Sequence, residues 1–276
     1  MAAVIRLYWW SEIYIQKLDQ ENYGDVLGKY LVEKISRKKV VWQRAHKFYL
    51  KNLWSPLYVT IGSVLEHIGD HCTVWGSGII SRNAQVASAT FRAVRGPLSR
   101  KRLLELGYDC PAIYGDPALL LPLYYHPIVE NKFQIGIVPH INDYDMVNEW
   151  YKNDPSIKVI NFRTNDVEHT TREILECASI ISSSLHGVIV AHGYHIPAIQ
   201  VKFSDRIYGD GVKYHDYFLS VNLDPYEPEF IEDRISMVDL MDKVQEHKNA
   251  LPQIDKIKQL QHDLLAVCPF KSKMDE

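Results

Sequence analysis

The segment CASIISSSLHGVIVAHGYHIPAI, residues 177–199, decides the fold of this chain. Its first apolar run ends in three serines followed by Leu-His-Gly, and a second apolar run leads on to Ile-Pro-Ala-Ile. This order predicts a buried strand, a tight turn, a helix and then the next strand. The turn therefore lies at the carboxyl end of a strand, which is where open α/β sheets bind ligands.

The polar residues of this turn have two interpretations. Ser182, Ser183, Ser184 and His186 precede or begin a helix, where unpaired backbone N–H groups and the positive end of the helix dipole suit an anion. The same serines would equally cap the helix, with His186 as a satisfied structural residue. Other parts of the chain favour the anion site.

Apolar runs and helical patterns alternate on both sides of this segment, which predicts parallel sheets with crossover helices. The predicted strands are 3–9, 38–42, 57–61, 72–76, 111–114, 133–139, 157–161, 178–182 and 197–201. The predicted helices are 25–36, 98–107, 144–152, 167–177 and 186–193, with further helical spacing over 236–266. The fold class is therefore α/β.

One proline-rich segment interrupts the alternation. Residues 117–132, PALLLPLYYHPIVENK, show no clear element, and FQIGIVPH after them starts a new strand. We therefore expect two Rossmann-like αβα domains that face a central cleft. The predicted division is residues 1–127 for the first domain and residues 128–276 for the second, which includes the terminal helices.

Composition excludes several classes of protein. The net charge of −3 argues against general nucleic-acid binding. The four cysteines lie far apart without a CxxC pair and the twelve histidines form no ligand pattern, so neither a metal nor a disulfide framework is expected. No GxGxxG follows a strand, which disfavours a dinucleotide cofactor. Without a signal peptide or a long apolar run, a cytoplasmic location is expected.

Several small-residue turns end other predicted strands or begin helices: NYGD at 22–25, IGS at 61–63, WGSG at 75–78, VRGPLS at 94–99 and GD at 115–116. Gly24 permits close approach of a ligand, and Asp25 serves equally well as a helix cap. Arg95 stands just before a helix start, where a cation is unfavourable for stability. That position favours a functional role for Arg95.

The order of these turns, ending in SSSLHG and a downstream IPAI, resembles the polysaccharide pyruvyl transferase family from about residue 20 to residue 220. The most diagnostic pieces are VRGPLSRKRLLELG, GDPALLLP and SSSLHGVIVAHGYHIPAI. Members of that family resemble two-domain GT-B glycosyltransferases. They transfer the enolpyruvyl unit of phosphoenolpyruvate (PEP) to a sugar, usually as a cyclic pyruvate ketal.

The resemblance implies roles for particular residues. Arg95 and His186 match family positions that contact PEP, and Asp25 or Asp116 would act as the base. The full expected set is His186, Arg95 and Asp25 for catalysis, Arg95, Ser183, Ser184, Leu185, His186 and Gly187 for PEP, and Asn22, Tyr23, Gly24 and Ser77 for the acceptor. The family commonly has arginine where this chain has Ser184, so Arg92, Lys202, Arg206 or Lys213 would supply the charge, or backbone N–H groups and serines would hold PEP.

The expected reaction is pyruvyl transfer from PEP to a sugar of a bacterial capsular or exopolysaccharide precursor, with release of phosphate. The expected acceptor is galactose, ketalised at positions 4 and 6, on a nucleotide or on a carrier such as undecaprenyl diphosphate. PEP is the donor substrate and no cofactor is expected. A lipid-linked acceptor would bring the enzyme into peripheral contact with the inner face of the membrane. A GT-B glycosyltransferase that uses a nucleotide sugar, or an inactive binding relative, are the alternatives.

Overall fold

The computed structural model describes residues 4–45, 56–247 and 250–270. Its first sheet has five parallel strands in the order β3-β1-β4-β5-β6. These strands are β1 (Ile5–Tyr8), β3 (Val40–Trp42), β4 (Leu57–Val59), β5 (Cys72–Trp75) and β6 (Thr90–Ala93). All of them lie between Ile5 and Ala93.

The second sheet also has five parallel strands, in the order β12-β11-β10-β7-β8. These strands are β7 (Phe133–Val138), β8 (Ile157–Val159), β10 (Cys177–Ser182), β11 (Ala198–Lys202) and β12 (Glu229–Phe230). The predicted α/β class with two Rossmann-like sheets is therefore confirmed.

Strand β10 shows why apolar runs without alternation form the centre of this sheet. Consecutive side chains point to opposite faces of a strand, and both faces are covered here. Ile180 packs in the large core that also contains residues of α6 (Leu185–Gly193), whereas Ile181 packs with Ile137 and Tyr151 on the other face. Burial on both faces is typical of parallel sheets with helices on each side.

The remaining helices cover the sheets and connect them. They are α1 (Tyr23–Ser36), α2 (Pro97–Glu105), α3 (Leu121–Tyr124), α4 (Tyr144–Tyr151), α5 (Val167–Leu175), α7 (Val212–Ser220), α8 (Met237–Glu246) and α9 (Ile254–Ala266). Helix α8 begins at a capping box in which Ser236 and Asp239 bond each other's backbone. Short 3₁₀ turns lie at Leu65–His67 and Pro117–Leu120.

Helix α1 joins the two halves of the chain. A two-residue strand before it, β2 (Glu21–Asn22), pairs antiparallel with β9 (Arg163–Thr164) from the second half. The Tyr23 ring is fully buried, and its hydroxyl lies 2.7 Å from the Thr171 hydroxyl of α5. These contacts fix the start of α1 relative to the second sheet.

The terminal helix α9 returns to the first half. Trp75 donates its indole N–H to the Leu264 carbonyl at 2.9 Å, and the Gln261 amide donates to the Leu119 carbonyl at 2.7 Å. The first sheet ends at Ala93 and the second begins at Phe133, yet α9, at the end of the chain, bonds residues that precede the second sheet. The division between residues 127 and 128 remains a prediction.

Two sequence predictions in this region were wrong. The strand expected at 111–114 is replaced by an isolated bridge between Val94 and Tyr114, and β6 forms the edge of the sheet instead. The segment expected to lack structure contains the 3₁₀ turn and α3, with Leu119 and neighbouring leucines fully buried. Asp116 caps this turn and proline occupies its first position, so the proline that suggested a linker starts a helix.

Candidate functional site

The carboxyl ends of the two sheets meet where α1 and α6 begin. Asn22 caps α1 by accepting a hydrogen bond from the Gly24 N–H at 3.0 Å. The His186 ring, in the first turn of α6, lies directly against Gly24: a Cβ atom built on that glycine would be 2.0 Å from His186 Nδ1. The absence of a side chain at Gly24 therefore gives His186 its place.

A buried carboxylate faces the other side of the His186 ring. Nε2 of His186 lies 3.6 Å from Oδ2 of Asp116, and neither atom has a hydrogen-bond partner among the described residues. Asp116 is fully buried, while the His186 side chain keeps 12% exposure. The second Asp116 oxygen accepts from the Ala118 N–H at 3.0 Å, which fixes the carboxylate. Asp116 is thus positioned to orient His186.

Asp25 lies one residue beyond Gly24 in the first turn of α1 and is partly exposed. Burial raises the pKa of its carboxyl to about 7, an effect that nearby Glu12 and Glu21 reinforce. The charges of His186 and Lys213 oppose this increase. A carboxyl with a pKa near 7 can both give and accept a proton at neutral pH. Asp25 therefore has the property that an acid–base group needs.

Arg95 is fully buried, and its guanidinium is bound by other groups of the protein. It donates to the Ser63 hydroxyl at 2.6 Å and to the Ile79 carbonyl at 2.8 Å, and its Nε lies 3.2 Å from an oxygen of Asp216. Contact with PEP would require the side chain to move. Direct PEP binding by Arg95 remains a prediction, and the structure places the side chain in the interior.

Asp216 of α7 explains the unusual position of this arginine. Its carboxylate accepts from the N–H groups of Leu98 and Ser99 at 2.8 and 2.9 Å, in the first turn of α2. It also accepts from the Ser99 hydroxyl at 2.6 Å. A carboxylate at a helix start is favourable, and it neutralises Arg95 at the same time. The cation that suggested a functional role is therefore balanced by a residue far away in sequence.

Most of the serine turn builds the framework of the site. The Ser182 hydroxyl bonds the Val138 carbonyl, and the Ser183 hydroxyl accepts from the His140 N–H at 2.8 Å. Ser182, Ser183, Ser184, Leu185 and Gly187 are all buried, whereas His186 is not. A Cβ on Gly187 would lie 2.3 Å from the Ser182 hydroxyl. Of the residues expected to bind PEP in this turn, His186 is the one whose side chain is partly exposed.

The residues expected to bind the acceptor divide into two groups. Asn22 and Gly24 lie beside His186 and Asp25, in or next to the first turn of α1. Tyr23 and Ser77 have no exposed surface, and Ser77 donates to the Gly62 carbonyl at 2.7 Å. Tyr23 and Ser77 therefore contact protein in positions where an acceptor would not reach them.

Sequence reasoning missed His140 and named Lys213 only as one of four residues that would supply positive charge. Burial and the nearby Arg95 lower the pKa of Lys213 to about 8, while burial and the charge of Lys213 lower the pKa of His140 to about 4. Helix α7, which carries Lys213, was not predicted at all. Its nine residues directly follow a stretch that contains Gly209 and Gly211, which is typical of a loop.

Two parallel five-stranded sheets covered by helices define an α/β protein with two Rossmann-like halves, and the titratable side chains between them mark the candidate site. The chain belongs to the polysaccharide pyruvyl transferase family, whose model matches residues 22–201. It is also similar to an uncharacterized protein of Acanthamoeba polyphaga mimivirus, with 29% identity over 220 residues, covering 75% of this chain and 74% of that protein.

Two further features describe the surroundings of the site. Within residues 4–45, 56–247 and 250–270, no three His, Cys, Asp or Glu side chains are grouped so that they would hold a metal ion. No helix in the same ranges is long and apolar enough to cross a bilayer.

Proposed function

We propose that this protein transfers the pyruvyl group of PEP to two hydroxyls of one sugar, forming a cyclic ketal and releasing phosphate. The family supports a PEP donor and a polysaccharide acceptor. The observation that carries the proposal is the meeting of His186 with Gly24 and Asp25, because it puts an imidazole and a carboxyl with a pKa near 7 at the edge where ligands bind.

The reaction requires proton transfers in two directions. A proton adds to the methylene carbon of PEP, which leaves its second carbon with oxocarbenium character. The first sugar hydroxyl adds there and loses its proton, and the carbon–oxygen bond to phosphate then breaks with its electron pair. The second hydroxyl adds and loses its proton in turn. Of the two protons released by the sugar, one replaces the proton given to PEP and the other leaves with phosphate.

In this proposal Asp25 is the acid–base group. In its protonated form it would deliver the proton to the methylene carbon, and as the carboxylate it would accept a proton from a sugar hydroxyl. The structure favours Asp25 over Asp116 in this role because Asp25 is partly exposed, whereas Asp116 is fully buried and holds the Ala118 N–H. Asp116 would instead orient the His186 ring.

His186 would contact the phosphate of PEP and assist its departure. Because Nε2 is turned to Asp116, Nδ1 is the ring nitrogen left for the phosphate, and in the protonated ring it donates a hydrogen bond and adds positive charge to the leaving group. Substitution of His186 by Ala should abolish most activity and leave the melting temperature close to wild type. Substantial recovery in His186→Gln would assign the role to hydrogen bonding, and no recovery would assign it to proton transfer.

The acceptor is proposed to be a galactose unit of a surface-polysaccharide precursor, with a ketal across hydroxyls 4 and 6. Those hydroxyls close a six-membered ring, and the first turn of α1 around Asn22 and Gly24 lies beside the acid–base group. A lipid-linked oligosaccharide would be reached by peripheral contact with a membrane. Equal turnover of glucose and galactose acceptors would show that the preference for galactose is wrong.

The deciding experiment incubates the protein with PEP and candidate oligosaccharides and follows two signals. Inorganic phosphate should be released only when an acceptor is present, and mass spectrometry should show the mass added by a pyruvate ketal. Release of a nucleotide from a sugar donor, with PEP left intact, would instead support a glycosyltransferase. No turnover of PEP with any acceptor would favour an inactive binding relative.

A further inference from the structure

The proposed reaction needs a cation for the anionic donor, and this chain has Ser184 where the family commonly has arginine. Ser184 is buried. Among the basic residues that the sequence offered as replacements, Lys202 pairs with Asp205 at 2.6 Å and Arg206 pairs with Asp143 at 2.8 Å. Arg92 is exposed on β6, at an edge of the first sheet. Lys213 is the remaining candidate.

Lys213 lies between two fixed points on α7. The hydroxyl of the next residue, Tyr214, donates to the Ser183 carbonyl at 2.7 Å, and Asp216 binds the first turn of α2. The first contact ties α7 to the turn that precedes His186, and the second ties it to the first half of the chain. Lys213 is partly buried, its ammonium lies 5.4 Å from the centre of the Tyr214 ring, and it forms no ion pair with a carboxylate of the described residues. Its charge is close enough to act on Asp25.

His140 is held at the same turn from the other side. Its backbone N–H donates to the Ser183 hydroxyl at 2.8 Å, so Ser183 connects His140 and the start of α7. Nδ1 of the His140 ring accepts from the Asn142 N–H at 3.3 Å. The ring proton of a neutral histidine then resides on Nε2, which becomes a hydrogen-bond donor. The low pKa of His140 keeps the ring in this neutral form.

We propose that Lys213 and His140 bind the phosphate of PEP, with the Lys213 ammonium supplying the charge that an arginine at position 184 would otherwise give. A lysine ammonium binds a phosphate as a point charge, whereas an arginine fork binds either a carboxylate or a phosphate bidentately. This inference rests on the proposed function. It also assigns to Lys213 a place beside Asp25, where its charge would favour the carboxylate form of that residue.

The test measures PEP binding to the full chain by calorimetry. The variants are Lys213→Met, Lys213→Arg and His140→Ala, with Lys152→Met as a matched control, because Lys152 pairs with Glu149 on the surface of α4. Loss of one charge-assisted hydrogen bond predicts about ten- to a hundred-fold weaker PEP binding in Lys213→Met. Lys213→Arg should bind PEP close to wild type, His140→Ala should lose about fivefold, and Lys152→Met should be unchanged.

A pH series separates a charge contact from a structural role. The groups whose charges act on Lys213 are Arg95, which lowers its pKa to about 8 together with burial, and Asp25, which opposes this. Above pH 8 Asp25, with its pKa of about 7, is largely ionised in both proteins, so from pH 8 to pH 9.5 wild-type affinity for PEP should fall while Lys213→Arg keeps its affinity. If circular dichroism shows that Lys213→Met does not fold, the pH dependence of PEP affinity in wild type and Lys213→Arg still tests the inference. The same pH dependence in both proteins would overturn it.

Competition identifies the group that is bound. The inhibition constant of inorganic phosphate against PEP should rise in Lys213→Met and stay at the wild-type value in the control Lys152→Met. The inhibition constant of pyruvate should be the same in all three proteins. Equal affinity for PEP in wild type and a folded Lys213→Met would overturn the inference and leave the proposed function intact. Failure of wild type to bind PEP at all would overturn the proposed function, and the inference with it.

Discussion

Gly24 and His186, which come from different halves of the chain, are in direct contact at the point where the two sheets meet. The first turn of α1 carries Gly24 and Asp25, and the first turn of α6 carries His186. A Cβ on Gly24 would lie 2.0 Å from Nδ1 and 2.5 Å from Cγ of the imidazole. The position of the ring beside Asp25 therefore depends on a glycine in the other half of the protein.

The first prediction tests this contact with Gly24→Ala. The methyl group would displace the His186 ring, and because misplacement of a reacting group by about 1 Å costs about a hundredfold in rate, kcat/KM should fall on that scale. The control is Gly193→Ala in α6, where a Cβ would meet its neighbours at 3.6 Å or more. That variant should keep its activity. Equal activity of both variants, measured as phosphate release from PEP, would show that the contact does not matter.

The segment around residues 177–199 was predictable because its strand, turn and helix are encoded by neighbouring residues. The strand was expected at 178–182 and lies at Cys177–Ser182, and the helix was expected at 186–193 and lies at Leu185–Gly193. Buried apolar runs of this kind specify their own structure locally. The same holds for the start of α1, where Asn22 caps the helix.

The environment of each site residue was not predictable, because distant residues create it. Arg95 looked like an unbalanced cation until Asp216 was placed beside it by α7. Asp116 and His186 belong to separate motifs, and only the folded chain brings them to 3.6 Å. Tyr23 stands in a motif at a candidate site, yet its ring is core because Thr171 and Phe162 pack on it. Sequence spacing contains none of these pairings.

The second prediction concerns the buried pair of Arg95 and Asp216. Both side chains are fully buried, so removing one partner leaves an uncompensated charge, which typically costs about 3–5 kcal/mol of stability. Arg95→Met and Asp216→Leu should each lower the free energy of urea unfolding on that scale. The double variant should lose less than the sum, which a double-mutant cycle measures. Strictly additive losses would show that the two residues are not coupled.

The third prediction uses the raised pKa of Asp25. Because the folded-state pKa is about 7 and the ordinary value is 3.8, the unfolded chain loses this proton first, and stability falls as pH rises from about 4 to about 7. Asp25→Asn removes that loss, so the variant should be more stable relative to wild type at pH 8 than at pH 5. Its kcat should nevertheless fall about a hundredfold or more, as for other lost acid–base groups.

Asp19→Asn is the matched control for this experiment, because Asp19 is exposed just before β2 and its backbone carbonyl, which the substitution keeps, accepts a hydrogen bond from the Asn165 amide. Its stability relative to wild type should be the same at both pH values, and its kcat should be unchanged. A stability difference for Asp25→Asn that does not depend on pH would contradict a raised pKa. Full activity of Asp25→Asn would exclude Asp25 as the acid–base group.

The last prediction separates the two functions of Asp116 by comparing Asp116→Asn with Asp116→Ala. An asparagine keeps an oxygen for the Ala118 N–H but turns an amide N–H towards His186 Nε2, which would favour the wrong tautomer of the ring. Asp116→Asn should therefore keep its melting temperature and PEP affinity while kcat falls about a hundredfold. Asp116→Ala should also lose about 1 kcal/mol of stability with the helix cap.

Because Asp116 would act through His186, adding Asp116→Asn to His186→Gln should reduce kcat little further. If the two reductions in kcat multiply in the double variant, or if Asp116→Asn keeps the wild-type kcat, Asp116 does not position the ring.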